Sequence, residues 1–187
     1  MPRQPLSEHV DVLEKAGRLK RIKDEKRVDE LPRIMEDNPD VAVLVEKVKD
    51  SQIPFFANGY GVRPMYALAL QCEHKDVGIE IAKRSAFRQK PQLVDKAHVK
   101  YVTIKDHDID LTIFPLFHHH PGDRHAYLND TNFVTRNPDT GLIDQGIYRF
   151  MYRQNNETNI DMRKDTHGAS INAKRYRELG KPPCICH

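Results

Sequence analysis

Apolar and polar positions repeat with two different periods along this chain, and the change of period marks its organisation. Leu6, Val10 and Leu13 recur at helical spacing after a start at Ser7, and Gly17 closes that helix. Leu19 to Ile22 reads as a short strand, and Asp29 to Asp37 as a second short helix ended by Asn38-Pro39. Val41 to Val45 is a continuous apolar run, which fits a buried strand; Ile53 to Ala57 is another, stopped by Asn58-Gly59. Met65 to Cys72 and Val77 to Phe87 return to helical spacing, and Val99 to Ile104 to a strand. Strands alternating with helices predict an α/β domain over residues 1–110. Phe55, Phe56, Tyr66 and Phe87 sit inside these apolar patterns and are expected in the core.

The character changes near Asp106. His, Asp and Pro crowd the stretch from Asp106 to Asp123, which includes His118-His119-His120. Thr131 to Arg136 then reads as a strand, Asn137-Pro138-Asp139-Thr140-Gly141 as a turn, and Gly146 to Arg153 as a second strand; a hairpin is the simplest arrangement. A helix over Ala169 to Leu179, capped by Gly180, follows, and Pro183 to Cys186 opens another strand. A chain that stops inside a strand reads as a fragment of something longer.

Composition narrows the class. Of 187 residues, 39% are hydrophobic and 30% charged, which suits a folded globular protein. The net charge of +3 is interspersed, and the basic stretch Lys20 to Arg27 is broken by Ile22, Asp24 and Glu25, so it reads as a solvated loop and nucleic acid is not implied. No apolar run approaches a membrane span, and Met-Pro-Arg-Gln-Pro lacks the apolar centre of a signal peptide. Three cysteines without a framework point to reduced thiols and a cytoplasmic setting.

The residues richest in chemistry run from Asp144 to Arg149 and from Asn159 to His167. Asp144 and His167 offer one oxygen and one nitrogen to a hard or borderline divalent cation. Arg149 lies five positions after Asp144, so on a strand the two face opposite ways. One side is then free for a metal or phosphate and the other for a carboxylate, which an arginine fork binds through two parallel hydrogen bonds. The bland alternative stands beside it: Asp144 opens a strand, Arg149 is a surface charge and His167 starts a helix. Three consecutive histidines point different ways and suit a surface or loop role better than one ion. Cys184-x-Cys186-His187 reads as buried small residues rather than a zinc clip, which needs four ligands.

The run Asp139-Thr140-Gly141-Leu142-Ile143-Asp144-Gln145-Gly146-Ile147-Tyr148-Arg149 resembles the signature of the UbiD family, a turn leading into N-x-G-x-Y-R. Asp110-Leu111-Thr112-Ile113-Phe114-Pro115 is similar to its DL-x-x-x-P element, and His120 to Tyr127 to its H-x-x-D-x-x-x-Y. Thr131 to Thr135, Glu178 to Pro183 and the opening Leu13 to Leu19 resemble further family elements in the right order. Tyr148-Arg149-Phe150-Met151 and Glu157 to Arg163 resemble the branch that acts on hydroxylated benzoates.

The resemblance implies a prenylated-FMN decarboxylase: an α/β N-terminal domain, then over residues 111–187 the opening part of a split β-barrel that binds the flavin. It implies Mn2+ at the flavin phosphate with K+ nearby, ligated by Asp144, where the family has Asn, and by His167. Gly146, Ile147 and Tyr148 would bring backbone to the flavin, and Thr166 falls where a flavin-contacting Gln can stand. Arg149 would orient the substrate carboxylate, while the family's two catalytic glutamates would lie beyond residue 187. The implied reaction is reversible, nonoxidative decarboxylation of a small aromatic acid through a covalent cofactor adduct. A homo-oligomer and a flavin prenyltransferase as cofactor supplier follow. The rivals are a catalytically incomplete fragment or structural partner, and a flavin-binding split-barrel oxidoreductase.

Overall fold

A computed structural model of the chain describes residues 5–87, 104, 106–163 and 168–181. Two compact units emerge, Met1–Asp108 with Ile113–Pro115, and Ile109–Thr112 with Leu116–His187. The interleaving at the join has a local cause. Gln52 N–H and the Ser51 hydroxyl both donate to the Ile113 carbonyl, at 3.1 and 2.8 Å, which ties residue 113 back to the first unit. Leu111 N–H instead donates to Asn155 O at 2.8 Å, within the second.

In the first unit, helix α1 (Leu6–Lys15) leads to strand β1 (Leu19–Ile22). A 3-10 turn (Val28–Glu30) and helix α2 (Leu31–Glu36) then cross over to strand β2 (Ala42–Val45). β1 and β2 pair in parallel, and β3 (Phe55–Ala57) adds antiparallel to β2, so the sheet is mixed. Helices α3 (Arg63–Leu70) and α4 (Val77–Ala86) complete the unit. The strand and helix order expected from the apolar periods up to Phe87 is therefore present. Asn58 explains the sharp stop after β3: with φ at 57° its amide donates to Met35 O and Asn38 O, capping the end of α2.

The core forms where α1, β2 and α3 meet. Leu13, Ala42 and Met65 are fully buried, with Leu19, Val41, Phe56, Val62 and Leu68 packed around them. The buried stripe of α1 differs from the apolar stripe of the sequence. His9 is 1% exposed, while Leu6, one turn earlier, is 59% exposed. His9 stacks on Tyr60 at 4.7 Å, and its Nε2 lies 3.2 Å from Gly59 O. The expectation of a core role also fails for Tyr66 and Phe87, which are exposed. Tyr66 follows Met65, so a helical rotation of about 100° turns it outward once Met65 faces the core.

The second unit is an antiparallel sheet with one helix against it. β4 (Tyr127–Arg136) and β5 (Ile143–Gln154) form the expected hairpin. Asn137 sets its turn: the side-chain oxygen accepts from Asp139 N–H and Thr140 N–H at 3.0 and 2.9 Å. A third strand, β6 (Glu157–Ile160), returns along β5, which the sequence reading missed. Its signal was the Asn155-Asn156 pair, with Asn155 at φ 38° between two β-prone runs. Helix α5 (Gly168–Glu178) packs on the face carrying Phe133 and Tyr148, and Ala169 completes that core with Phe150, Ile160 and Met162 at its edge. The expected strands Val99 to Ile104 and Pro183 to Cys186 fall almost wholly outside the described residues, as does Cys184-x-Cys186-His187. Among described residues, no helix is long and apolar enough to cross a membrane.

Candidate functional site

Side chains alternate along β5, and the alternation separates the candidate residues into two groups. Asp144, Gly146 and Tyr148 face α5. Ile147 and Arg149 lie on the other face, exposed. The five-residue spacing of Asp144 and Arg149 thus puts them on opposite sides of one strand, as expected.

On the α5 side the packing is tight. A Cβ added to Gly168 would stand 2.5 Å from the Asp144 carboxylate, so that carboxylate rests against the first backbone unit of α5. Gly168 follows His167 directly in the chain, although Thr166 and His167 themselves lie outside the described residues. The Tyr148 ring is buried, edge-to-face with Phe133 at 6.0 Å. Burial pushes the Tyr148 phenol up, and the nearby Asp144 charge pushes it further; a hydrogen bond from Ala169 N–H works the other way. Gly146 has a definite reason to lack a side chain, since its Cβ would meet the Tyr148 ring at 2.5 to 3.2 Å. Within this chain the space above Gly146 belongs to that ring.

These residues fit a metal-bridged phosphate in one respect. The start of a helix offers partial positive charge and free N–H groups, which favour an anion. Asp144 already places a carboxylate there. A phosphate at the same place would meet like charge unless a divalent cation lay between the two, and a carboxylate oxygen is a suitable ligand for such a hard cation. Among the described residues no group of three His, Cys, Asp or Glu side chains is arranged to hold an ion.

On the other face, Arg149 donates from Nε and Nη2 to one oxygen of Asp161, at 3.1 and 2.7 Å. The pair follows from strand register: Phe150 opposes Ile160, which leaves Arg149 opposite Asp161 just past the end of β6. Arg149 Cζ also stands 5.3 Å from the centre of the Tyr127 ring. Asp161 holds the Arg149 guanidinium above its usual pKa, with smaller support from Tyr127 and Asp123. A β-bulge lies at this point: pairing jumps from Leu128–Phe150 to Thr131–Tyr148, so Asn129 and Asp130 stand opposite Arg149 alone. Bulges bend a strand and re-aim its side chains. Sequence reasoning missed Asp161, Tyr127 and Asp123 as neighbours of Arg149: Asp161 is found only through β6 and its register, and Tyr127 only through the bulged pairing of β4 with β5.

The histidine run lies in the exposed loop before β4. His118 Nδ1 is 2.9 Å from Asp123 O, while the His119 and His120 rings meet edge-to-face at 4.7 Å. Asp123 accepts from His120 N–H, and this bond first of all draws its carboxyl below the usual range.

Comparison with known proteins extends the picture. The chain is 25% identical to an uncharacterised protein of Archaeoglobus fulgidus, over 90% of this chain and 39% of that one. The UbiD-class enzyme HmfF from Pelotomaculum thermopropionicum, solved with FMN, superposes with a TM-score of 0.87 at 24% identity, covering 95% of this chain and 40% of that one. Vanillic acid decarboxylase from Sedimentibacter hydroxybenzoicus gives 0.84 at 24% identity, covering 98% and 41%. The 3,4-dihydroxybenzoic acid decarboxylase of Klebsiella pneumoniae gives 0.83 at 17%, covering 97% and 41%. Such likenesses establish the mixed α/β fold, and this chain spans about two-fifths of the length of these relatives. Residues 10–85 match the 3-octaprenyl-4-hydroxybenzoate carboxy-lyase N-terminal domain of the UbiD family. Residues 92–186, more than half of the chain, match the Rift-related domain of the same carboxy-lyase, and the protein therefore belongs to the UbiD family.

Proposed function

We propose that this chain is the N-terminal part of a nonoxidative, reversible decarboxylase that acts on an aromatic acid of hydroxybenzoate type with prenylated FMN. Residues 1–110 would be its N-terminal α/β domain, and residues 111–187 the opening part of a split-barrel flavin domain. The observation that carries the reading is the division of β5, with Asp144 against the start of α5 and Arg149 on the opposite face. Structural relatives with FMN or prFMN support the cofactor, and the two hydroxylated-benzoate decarboxylases among them support the substrate class. An evolved form of HmfF is dimeric, which fits a homo-oligomer.

In this reading Asp144 and His167 hold Mn2+ at the cofactor's phosphate, with K+ nearby, and the first turn of α5 stabilises the anionic group. Gly146, Ile147 and Tyr148 would line the cofactor with backbone, and Thr166 falls in the sequence where a flavin-contacting residue can stand. When bound, the modified flavin, made by a flavin prenyltransferase, supplies an electrophilic carbon and an electron sink for C–CO2 cleavage. Arg149 binds the substrate carboxylate and holds it in line for loss of CO2. The charge at residue 144 differs from the family's Asn, and the helix start is what makes a carboxylate tolerable there.

The test uses the full-length gene product, co-expressed with a flavin prenyltransferase and purified without oxygen. Release of CO2 from 3,4-dihydroxybenzoate is the expected result, with more than a hundredfold loss in Arg149→Ala. A flavin-loaded protein that releases no CO2 from this or other hydroxybenzoates would overturn the proposed substrate class.

A further inference from the structure

The arrangement around Arg149 has a feature that carboxylate binding alone does not require. An arginine has five N–H donors on two usable edges: Nε with Nη2, and Nη1 with the outer side of Nη2. Asp161 occupies the first edge, with both donors on Oδ2 at 3.1 and 2.7 Å. Nη1 has no hydrogen-bond partner among the described residues. The Tyr127 ring lies against one flank at 5.3 Å, and the bulge at Asn129 and Asp130 bends β4 opposite this residue. The guanidinium is thus held along one edge and one flank, and its far edge is open.

We propose that Asp161 and Tyr127 are positioning residues for Arg149: they fix its guanidinium plane so that the free Nη1 edge receives the carboxylate of an aromatic acid. The proposal rests on the reading of Arg149 as the substrate-carboxylate arginine. The physical reasoning is entropic. Arg149 and Asp161 are 56% and 59% exposed, so their ion pair contributes little to folding. An exposed arginine otherwise samples many rotamers, and ordering it at the moment of binding weakens affinity. Asp161 and Tyr127 impose that order beforehand. Asp161 sits directly across the strand pair and Tyr127 on the strand at the other side, so sheet pairing fixes both. Asp123 adds negative charge nearby, and its carboxylate is anchored on His120 N–H at 3.0 Å.

The test measures dissociation constants for 3,4-dihydroxybenzoate and its neutral amide, 3,4-dihydroxybenzamide, on full-length cofactor-loaded protein. The ratio of the two isolates the carboxylate contact from general damage to the pocket. Asp161→Asn should lower the preference for the acid by about tenfold while leaving amide binding unchanged. Tyr127→Leu should lower it by about two- to threefold. In an Arg149→Lys background, where no second fork exists, neither change should have a further effect. If Arg149→Lys lowers the acid preference but Asp161→Asn and Tyr127→Leu do not, the positioning role is wrong and the reading of Arg149 survives. If Arg149→Lys leaves the preference intact, that reading fails and the proposal falls with it. Should Asp161→Asn fold poorly, Tyr127→Leu and Asp161→Glu decide the matter by the same ratio, with partial retention expected in the glutamate variant.

Discussion

The two units of this chain are held together by different means. In the first, Leu13, Ala42 and Met65 are sealed from solvent, and the ion pairs sit outside that core, as in Arg21 between Glu14 and Glu46. In the second, the core is a few aromatic contacts around Ala169, and polar bonds set the geometry. Asn172 donates to the Thr135 hydroxyl at 2.9 Å and accepts from Asn137 at 3.2 Å, joining α5 to the end of the hairpin. Arg175 clamps Asp139 of the turn with a two-bond fork at 2.7 and 3.0 Å. Apolar burial is non-directional, whereas hydrogen-bonded groups demand set distances and directions. The unit that carries the candidate chemistry is the one whose geometry is specified by hydrogen bonds.

This contrast can be broken at its strongest point first. Met65→Ala empties a fully buried position in the first unit and should cost about 2 to 5 kcal/mol, read by denaturant unfolding. Amide exchange in β4 and β5 should be unchanged below the global unfolding limit. Gly146→Ala should cost about 1 to 3 kcal/mol, because the new methyl collides with the Tyr148 ring. Near-ultraviolet circular dichroism should report the ring moving, as the chain has no tryptophan to mask its tyrosines. Asn172→Ala leaves Thr135 and Asn137 without their buried partner and should cost about 1 to 2 kcal/mol, with faster exchange at the α5–hairpin junction.

The smallest effect is a pH dependence. Arg175 holds the Asp139 carboxyl below its usual range. A depressed folded value means that the stabilisation is complete above the ordinary aspartate pKa of about 4 and is lost as pH falls through the folded value. Acid titration of stability should therefore show a shallow loss in that window, and Asp139→Asn should flatten it.

Much of the first unit was legible because its elements obey one period each: β2 and β3 lie within continuous apolar runs, and α3 and α4 keep helical spacing. The exceptions have local causes. His9 is polar yet occupies the buried stripe of α1, where hydropathy points to Leu6. In the second unit the hairpin was legible from its turn, and the opposite facing of Asp144 and Arg149 from counting residues. The rest of the site was not, because it depends on register. Asp161 meets Arg149 only once β6 is recognised and aligned, and Asp144 meets α5 only through packing across the sheet. The contact of Gly146 with the Tyr148 ring, two residues along the same face of β5, was not legible either, because it depends on how that ring lies.

The division of β5 is most directly tested by the manganese content of the full-length, cofactor-loaded protein and its variants, measured by mass spectrometry of the metal. Stoichiometric manganese in the wild type and in Arg149→Lys, with loss in Asp144→Ala, is the result this account predicts. Manganese retained in Asp144→Ala, or lost equally in Arg149→Lys, would contradict it.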